Sequence, residues 1–181
     1  MAATVQVYER TGASGAPTNT DITSLNSRYL LADSTSASTT ATPLQIPAAS
    51  TNNSYWKSHY LNCTVTPAGT IDTIKLYTDG ANSYGTGVTE TISTAAALAY
   101  VQATGSATSG TLLSNVNYSG SGSTVNVFTY TSGSPLSITG SITNPSINKI
   151  SDFWVEQMNV ASTASPGVTP AETKTISFNE T

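Results

Sequence analysis

Charge is scarce in this chain. Lys, Arg, Asp and Glu make up 9% of its 181 residues, against about 25% in an average soluble domain. The six basic residues stand singly, and the net charge is −4. Binding nucleic acid through its phosphates needs a basic face, and no basic run exists to build one. Long apolar runs are absent too, since none approaches the roughly 20 residues of a membrane helix. The opening "MAATVQVYERTG" has neither a basic stretch nor an apolar one, so no export signal is expected. The single cysteine, Cys63, excludes an internal disulfide. It lies in the apolar phase of "HYLNCTV", which places it as a buried thiol. The single histidine, His59, sits four residues earlier. On one strand the two side chains share a face about 13 Å apart, too far for a nucleophile–base pair. One His and one Cys cannot build a structural zinc site either.

Chemical motifs are equally thin. No G-x-S-x-G elbow occurs, and "GTGVTETIS" lacks the ending of a phosphate loop. "YTDGANSYG" carries Asp79, Asn82 and Ser83, with Asp72 seven residues before Asp79. Calcium asks for six to eight oxygens, so this reads as an Asp-Gly turn. No carboxylate pair stands out among the ten acids. Asn52, Asn62, Asn117 and Asn179 match N-x-[ST], as chance allows in so hydroxyl-rich a chain. No catalytic residue, cofactor or metal is therefore expected, and the chain reads as a non-enzyme.

Hydroxyls take the place of charge. Ser and Thr make about a third of the residues, alongside nine Tyr, two Trp and three Phe. Disorder by composition needs high charge and few aromatics, so a folded chain is expected. Its length suits one domain. "TVQVYE" alternates as a first strand, with Val5 and Val7 on one face. Turn residues follow, and "SRYLLADS" (Ser27–Ser34) reads as a short strand. The Ser/Thr/Ala-rich stretch to residue 53 is extended around its prolines. Residues 1–53 thus read as a strand and an extended arm, and 54–181 as the β-domain. Such an arm acts between chains, with Val5, Val7, Tyr8, Arg10, Arg28 and Tyr29 as its expected partner contacts.

From Ser54 the strands are clearer. "SYWKSHYLNCTVTP" and "TIDTIKLYTDG" flank a Pro-Ala-Gly turn and suggest a hairpin. Ile74 and Leu76 face one way, Lys75 and Tyr77 the other. "GTGVTETIS", "TVNVFTYTS" and "SPLSITGSI" read as further strands. "TAAALAYVQATG" (Thr94–Gly105) is the one helix candidate, capped by Thr94 and ended by Gly105. "DFWVEQMNVA" is apolar on both faces and interrupted by Glu156 and Gln157. "TKTISFNE" alternates, with Lys174, Ile176 and Phe178 on one face, and the two runs suggest a closing hairpin. Trp56, Trp154, Val155, Ile74, Leu76, Val127, Ile176 and Phe178 are the expected core. Strand-like runs at this spacing indicate an all-β antiparallel sandwich, Ig-like or jelly-roll-like, with at most one short helix.

"FWVEQMNVASTASPG" followed by "TKTISFNE" resembles the C-terminus of small virion proteins of tailed phages. "YWKSHYLNCTVTPAGTIDTIKLYTDG" is similar to the paired strands of such proteins. Together these segments cover about a third of the chain. The resemblance implies a capsid-decorating or cement-type β-sandwich exposed on the virion, often trimeric, whose partners are the major capsid protein or other virion subunits. No nucleic-acid or membrane partner is implied. It also reconciles an outward-facing composition with the lack of an export signal, because virion proteins assemble in the host cytoplasm. A carbohydrate- or receptor-binding sandwich, a tail or fibre component, and a surface-layer or filament subunit are the alternatives.

Overall fold

The computed structural model describes residues 4–35, 42–65, 69–94, 96–113, 124–143 and 148–181. Among the described residues ten strands form two antiparallel sheets packed face to face as a β-sandwich. The first sheet runs β2 (Thr18–Asp21), β1 (Thr4–Thr11), β4 (Lys57–Val65), β9 (Trp154–Ala161), β6 (Val88–Ser93), β7 (Thr124–Asn126), and β3 (Thr51–Asn53) joins it beside β9. The second sheet is β10 (Thr175–Glu180), β5 (Ile71–Tyr77) and β8 (Leu136–Ser137).

β9 is the axis of the large sheet. Its first half pairs with β4, through His59↔Trp154 and Lys57↔Glu156. Its second half pairs with β3, from Asn53↔Asn159 to Thr51↔Ala161. β6 runs along its other side. β3 and β4 thus follow β9 as one stretch broken at Ser54–Trp56. Gln157 closes that break: its amide donates to the Ser54 and Thr111 carbonyls at 2.7 and 2.8 Å and accepts from the Leu113 N–H at 2.8 Å. A buried amide is tolerated there because each of its polar atoms is partnered.

Alternation sorts the side chains. Val5, Val7, Leu61, Cys63, Ile92 and Trp154 face the second sheet and meet Ile71, Ile74, Leu76, Val127 and Ile142 in the main core. The opposite face carries Tyr60, Phe153 and Val155, covered by Ala97, Ala103 and Leu113 from the segment after β6. Ile176 and Phe178 are only half-buried against the core, and Val155 lies in the second cluster.

Several expectations are corrected. The run Ser54–Pro67 and the run from Thr70 do not form a hairpin: β4 pairs with β1 and β9, while β5 pairs with β10 and β8. The closing pair is likewise split, β9 in one sheet and β10 in the other. β4 and β9 are buried on both faces and belong inside the large sheet; β5 buries one face and belongs outside it. Ser27–Ser34 forms no strand, and Thr94–Gly105 is not helical over its described residues. There the Ala97 N–H and carbonyl bridge to Phe153 at 2.8 and 2.9 Å, and this tertiary pairing outweighs helix propensity. "TVNVFTYTS" is a strand only to Asn126, then a 3-10 turn over Val127–Thr129. The residues expected to form an arm supply β1, β2 and β3 to the large sheet, with β1 paired to β4 from Thr4↔Val65 to Arg10↔Ser58. Asn117 falls outside the described residues.

A bulge lies in β5. Asn179 pairs with Asp72 and Ser177 with Lys75, so Thr73 and Ile74 together oppose Phe178. Thr73 takes φ +52°, a conformation that costs a β-branched residue and turns Ile74 back into the core.

Candidate functional site

Four neighbouring strands place an ionisable residue in their inward phase. β1 runs Val5, Val7, Glu9; β4 runs Lys57, His59, Leu61, Cys63; β6 runs Val88, Glu90, Ile92; β9 runs Trp154, Glu156, Met158, Val160. Pairing brings these charges to one end of the inner face. Glu9, Lys57, His59, Glu90 and Glu156 are each no more than 2% exposed. Lys174, just before β10, reaches in from the second sheet with its side chain 17% exposed.

The groups are joined by hydrogen bonds. Lys57 Nζ donates to Glu9 Oε1 at 2.9 Å and to the Ser34 carbonyl at 2.5 Å. Lys174 Nζ donates to Glu90, to Glu156 Oε2 at 2.7 Å and to the Tyr29 oxygen at 3.1 Å. The Tyr29 hydroxyl donates to Glu90 and lies 3.0 Å from Glu156 Oε2, and the Tyr84 hydroxyl donates to Glu90 Oε2 at 2.7 Å. The imidazole of His59 lies between two carboxylates, with Nε2 3.7 Å from Glu9 Oε2 and Nδ1 3.4 Å from Glu156 Oε2. Three carboxylates thus face two ammonium groups, with the His59 imidazole between them. Among the described residues two buried atoms of the cluster have no hydrogen-bond partner, His59 Nδ1 and Glu156 Oε1.

Burial acts on every member, and partners decide the outcome. Burial raises the Glu156 carboxyl, but Lys174, His59 and Tyr29 outweigh it and hold it below its ordinary value. Glu9 is lowered in the same way, with burial opposed by His59 and Lys57. Burial depresses Lys174, yet Glu156 and Glu90 carry it above its ordinary value. Burial and the two glutamates push the Tyr29 and Tyr84 phenols upward.

A groove of about 1350 Å³ opens beside this cluster, between the large sheet, residues 22–30 and 43–46, and residues 164–174. His59, Glu156, Ser27, Tyr29 and Lys174 line its polar end; Leu44, Met158 and Val160 line its apolar end. Ser27 Oγ is 3.0 Å from His59 Nε2, so Ser27, His59 and Glu156 follow the order of a nucleophile, base and orienting acid. The connecting hydrogen bond is missing, because Nδ1 has no partner, and Glu156 Oε2 is taken by Lys174 and Tyr29.

The six expected contact residues are placed as follows. Val5 and Val7 pack on the core. Tyr8 lies 5.6 Å from the Tyr60 ring. The Arg10 guanidinium sits over Tyr60 and Phe153 at 4.9 and 5.0 Å, and Tyr29 joins the ion cluster. Arg28 is exposed at the groove. The cluster itself was missed by sequence reasoning, although a signal exists: four strands each place a charge in the apolar phase, which is costly unless the charges meet. Among the described residues no group of three metal-ligating side chains has metal-binding geometry. Comparison with protein-family models, curated proteins and solved structures finds no match.

Proposed function

We propose that this chain is a non-enzymatic virion structural protein, an outer-capsid decoration or cement protein that binds an assembled shell and stabilises it. One observation carries the reading: the chain has only sixteen charged residues and turns five of them inward, Glu9, Lys57, Glu90 and Glu156 fully and Lys174 nearly so, so hydroxyls and amides dominate its polar surface. Such a surface adheres through many neutral hydrogen bonds and shape, with little dependence on salt. The segments resembling phage virion proteins support the reading further, because they supply β4 and β9 inside the large sheet and β5, the middle strand of the second sheet, with β10 beside it. By mass action a protein that binds only the assembled shell favours assembly. A homo-oligomer, such as a trimer, would multiply the contacts, with the major capsid protein or other virion subunits as partner.

Electron microscopy of purified particles labelled with an antibody to this chain tests the proposal. Label spread over the capsid is the expected result. Label confined to tails or fibres would reassign the protein to those parts, and unlabelled particles with free protein in the lysate would overturn the virion reading. Covalent labelling of Ser27 by a fluorophosphonate would overturn the non-enzymatic part.

A further inference from the structure

We infer that the groove beside β10 accepts an extended segment of another protein, which adds to the second sheet as a further strand. The inference stands apart from the virion reading and holds whatever the source of the segment. Among the described residues the large sheet has six strands on its main path and the second sheet has three, so the inner face of the large sheet is only partly covered by strands. β10 is an outer strand of the second sheet, with β5 as its neighbour. Its other side opens on the groove, which Lys174 and Ile176 line together with Val7 of β1 and the segment from Ile22. The groove is the position that a fourth strand would take.

The edge favours a peptide. Outer strands are ordinarily protected by shortness, Pro, charge or a bulge. β2 has four residues and ends on Asp21, β7 has three and β8 two. β10 has six, without Pro, and the bulge puts its extra residue in β5. The backbone groups on its outer side are met in register only by another backbone. The rest of the groove supplies apolar contact. Among the described residues six large hydrophobic side chains are exposed, and three of them, Leu25, Ile46 and Val168, line this groove. A strand laid here turns alternate side chains to that surface and the others to water. At about 1350 Å³ the space exceeds the usual 300–1,000 Å³ of a small-ligand pocket, as an extended segment requires. Charge adds a further condition. Arg28 is exposed at the groove, and among the described residues no ion pair engages it, whereas Lys174 is held by Glu90 and Glu156. The segment is therefore apolar at alternate positions and acidic beside Arg28. A second copy fits less well. Its β10, paired antiparallel with this one, would turn its inner face to the same side and bring its own, wider sheet into the space beneath.

The probe is a synthetic peptide of alternating Val and Thr, as long as β10, with Glu at both ends. It is titrated to millimolar levels into the folded full-length protein, and backbone amide exchange is followed by NMR. Slower exchange of the β10 amides, saturable in peptide, is expected. A fully N-methylated version keeps the side chains and loses the backbone donors, and it should protect nothing. A version with Lys at both ends should bind more weakly. Arg28→Glu should reverse that preference, changing each affinity about two- to fivefold, the value of an exposed ion pair. Leu25→Gln alters an exposed apolar contact and should weaken both peptides with an unchanged melting temperature. No protection of β10 by the Glu-ended peptide, equal protection by the N-methylated one, or the same preference in folded Arg28→Glu overturns the site. Protection of β10 that grows with protein concentration in the absence of peptide assigns the groove to a second copy and overturns the occupant.

Discussion

Along β4 the inner face changes character within four residues, from Lys57 and His59 to Leu61 and Cys63. The two halves of this face are buried alike, with Lys57 at 0% and Leu61 at 1% exposure, but they are held by opposite means. Around Leu61, Ile74, Leu76 and Ile92 the stabilisation is removal of apolar area from water, about 25 cal/mol per Å², and it asks only for volume and shape. Around Glu9, Lys57 and Glu156 each group carries a desolvation cost offset only by its partner. The apolar half therefore accepts any covering element of the right shape. The ionic half accepts only segments that bring matching hydrogen-bonding groups, among them residues 22–34, through the Ser27 and Tyr29 hydroxyls and the Ser34 carbonyl, and the approach to β10, through Lys174. Residues 22–34 also bury Ile22, Leu30 and Leu31, whereas the approach to β10 has no buried apolar side chain of its own and depends on Lys174 for its tie to the cluster.

The largest test of that contrast removes the first segment. Deleting residues 1–53 takes away β1, β2 and β3, the Glu9 partner of Lys57 and the Tyr29 partner of Glu156. The remainder should show no cooperative thermal transition by circular dichroism. A sharp transition near that of the full chain would mean that the N-terminal strands merely dock on a finished domain.

Next in size is the buried pair. Lys57→Met strands Glu9 in a site that is 0% exposed and should cost about 3–5 kcal/mol in urea titration. The double change Glu9→Leu with Lys57→Met should recover most of that loss. In the apolar half no such rescue exists: Leu76→Ala should cost about 2–5 kcal/mol, and a second truncation nearby only adds to it. If the double variant is as unstable as the single, the two halves are not different in kind.

The same contrast explains what the sequence made legible. Strand phases in β5 and β10 follow from period-2 alternation, because hydrophobic burial writes itself into residue type at every second position, while β4 and β9 show as strands apolar on both faces. The burial of Trp56, Trp154, Ile74, Leu76 and Cys63 was legible as well. Partners are another matter. That β4 turns away from β5, and β9 from β10, depends on which strand is buried on both faces, a property of the finished sheet. The cluster is a non-local object: Glu9 and Lys57 are 48 residues apart, and Tyr29 and Glu156 are 127 apart. Read singly, each charge looks like an interruption of a strand. Read together, four inward-phase charges on strands that pair are the one trace the cluster leaves in the chain.

Acid should act chiefly on the ionic half, and alkali on it and on Cys63, Tyr60 and Tyr130, which burial raises. Glu9 and Glu156 titrate below the ordinary 4.5 in the folded chain, so their contribution is present above that pH and is lost as pH falls through their lowered values. Lys174 titrates above its ordinary 10.5, and the Tyr29 and Tyr84 phenols are raised as well. Their contribution is complete below the ordinary values and is lost as pH rises past them. Each tenfold change in proton affinity is worth about 1.4 kcal/mol. The urea midpoint should be level near neutrality and fall below about pH 4.5 and above about pH 10. The Glu9→Leu, Lys57→Met double variant should fall less steeply in acid. An equal acid slope in both proteins would place the titrating groups outside the cluster.

The smallest effect is expected at the edge of the apolar half. Phe178 shares a face with Lys174 and Ile176 on β10 and packs on the core, but it is only half-buried. A fully buried Phe truncated to Ala costs about 3–5 kcal/mol. Part of that area is already in water here, and an open site leaves no sealed cavity behind, so Phe178→Ala should cost less, about 1–2 kcal/mol. The bulge bears on the same position, because Thr73 and Ile74 jointly oppose Phe178 and the ring covers a kink in β5. Thr73→Gly would relieve the φ of +52° at the cost of a more flexible unfolded chain, and its net effect should stay within about 1 kcal/mol. If Phe178→Ala instead costs as much as Leu76→Ala in the same urea titration, the ring is sealed from water in solution. A partner surface or a second copy of the chain lying over β10 would do that, and the dependence of the midpoint on protein concentration would reveal the second copy.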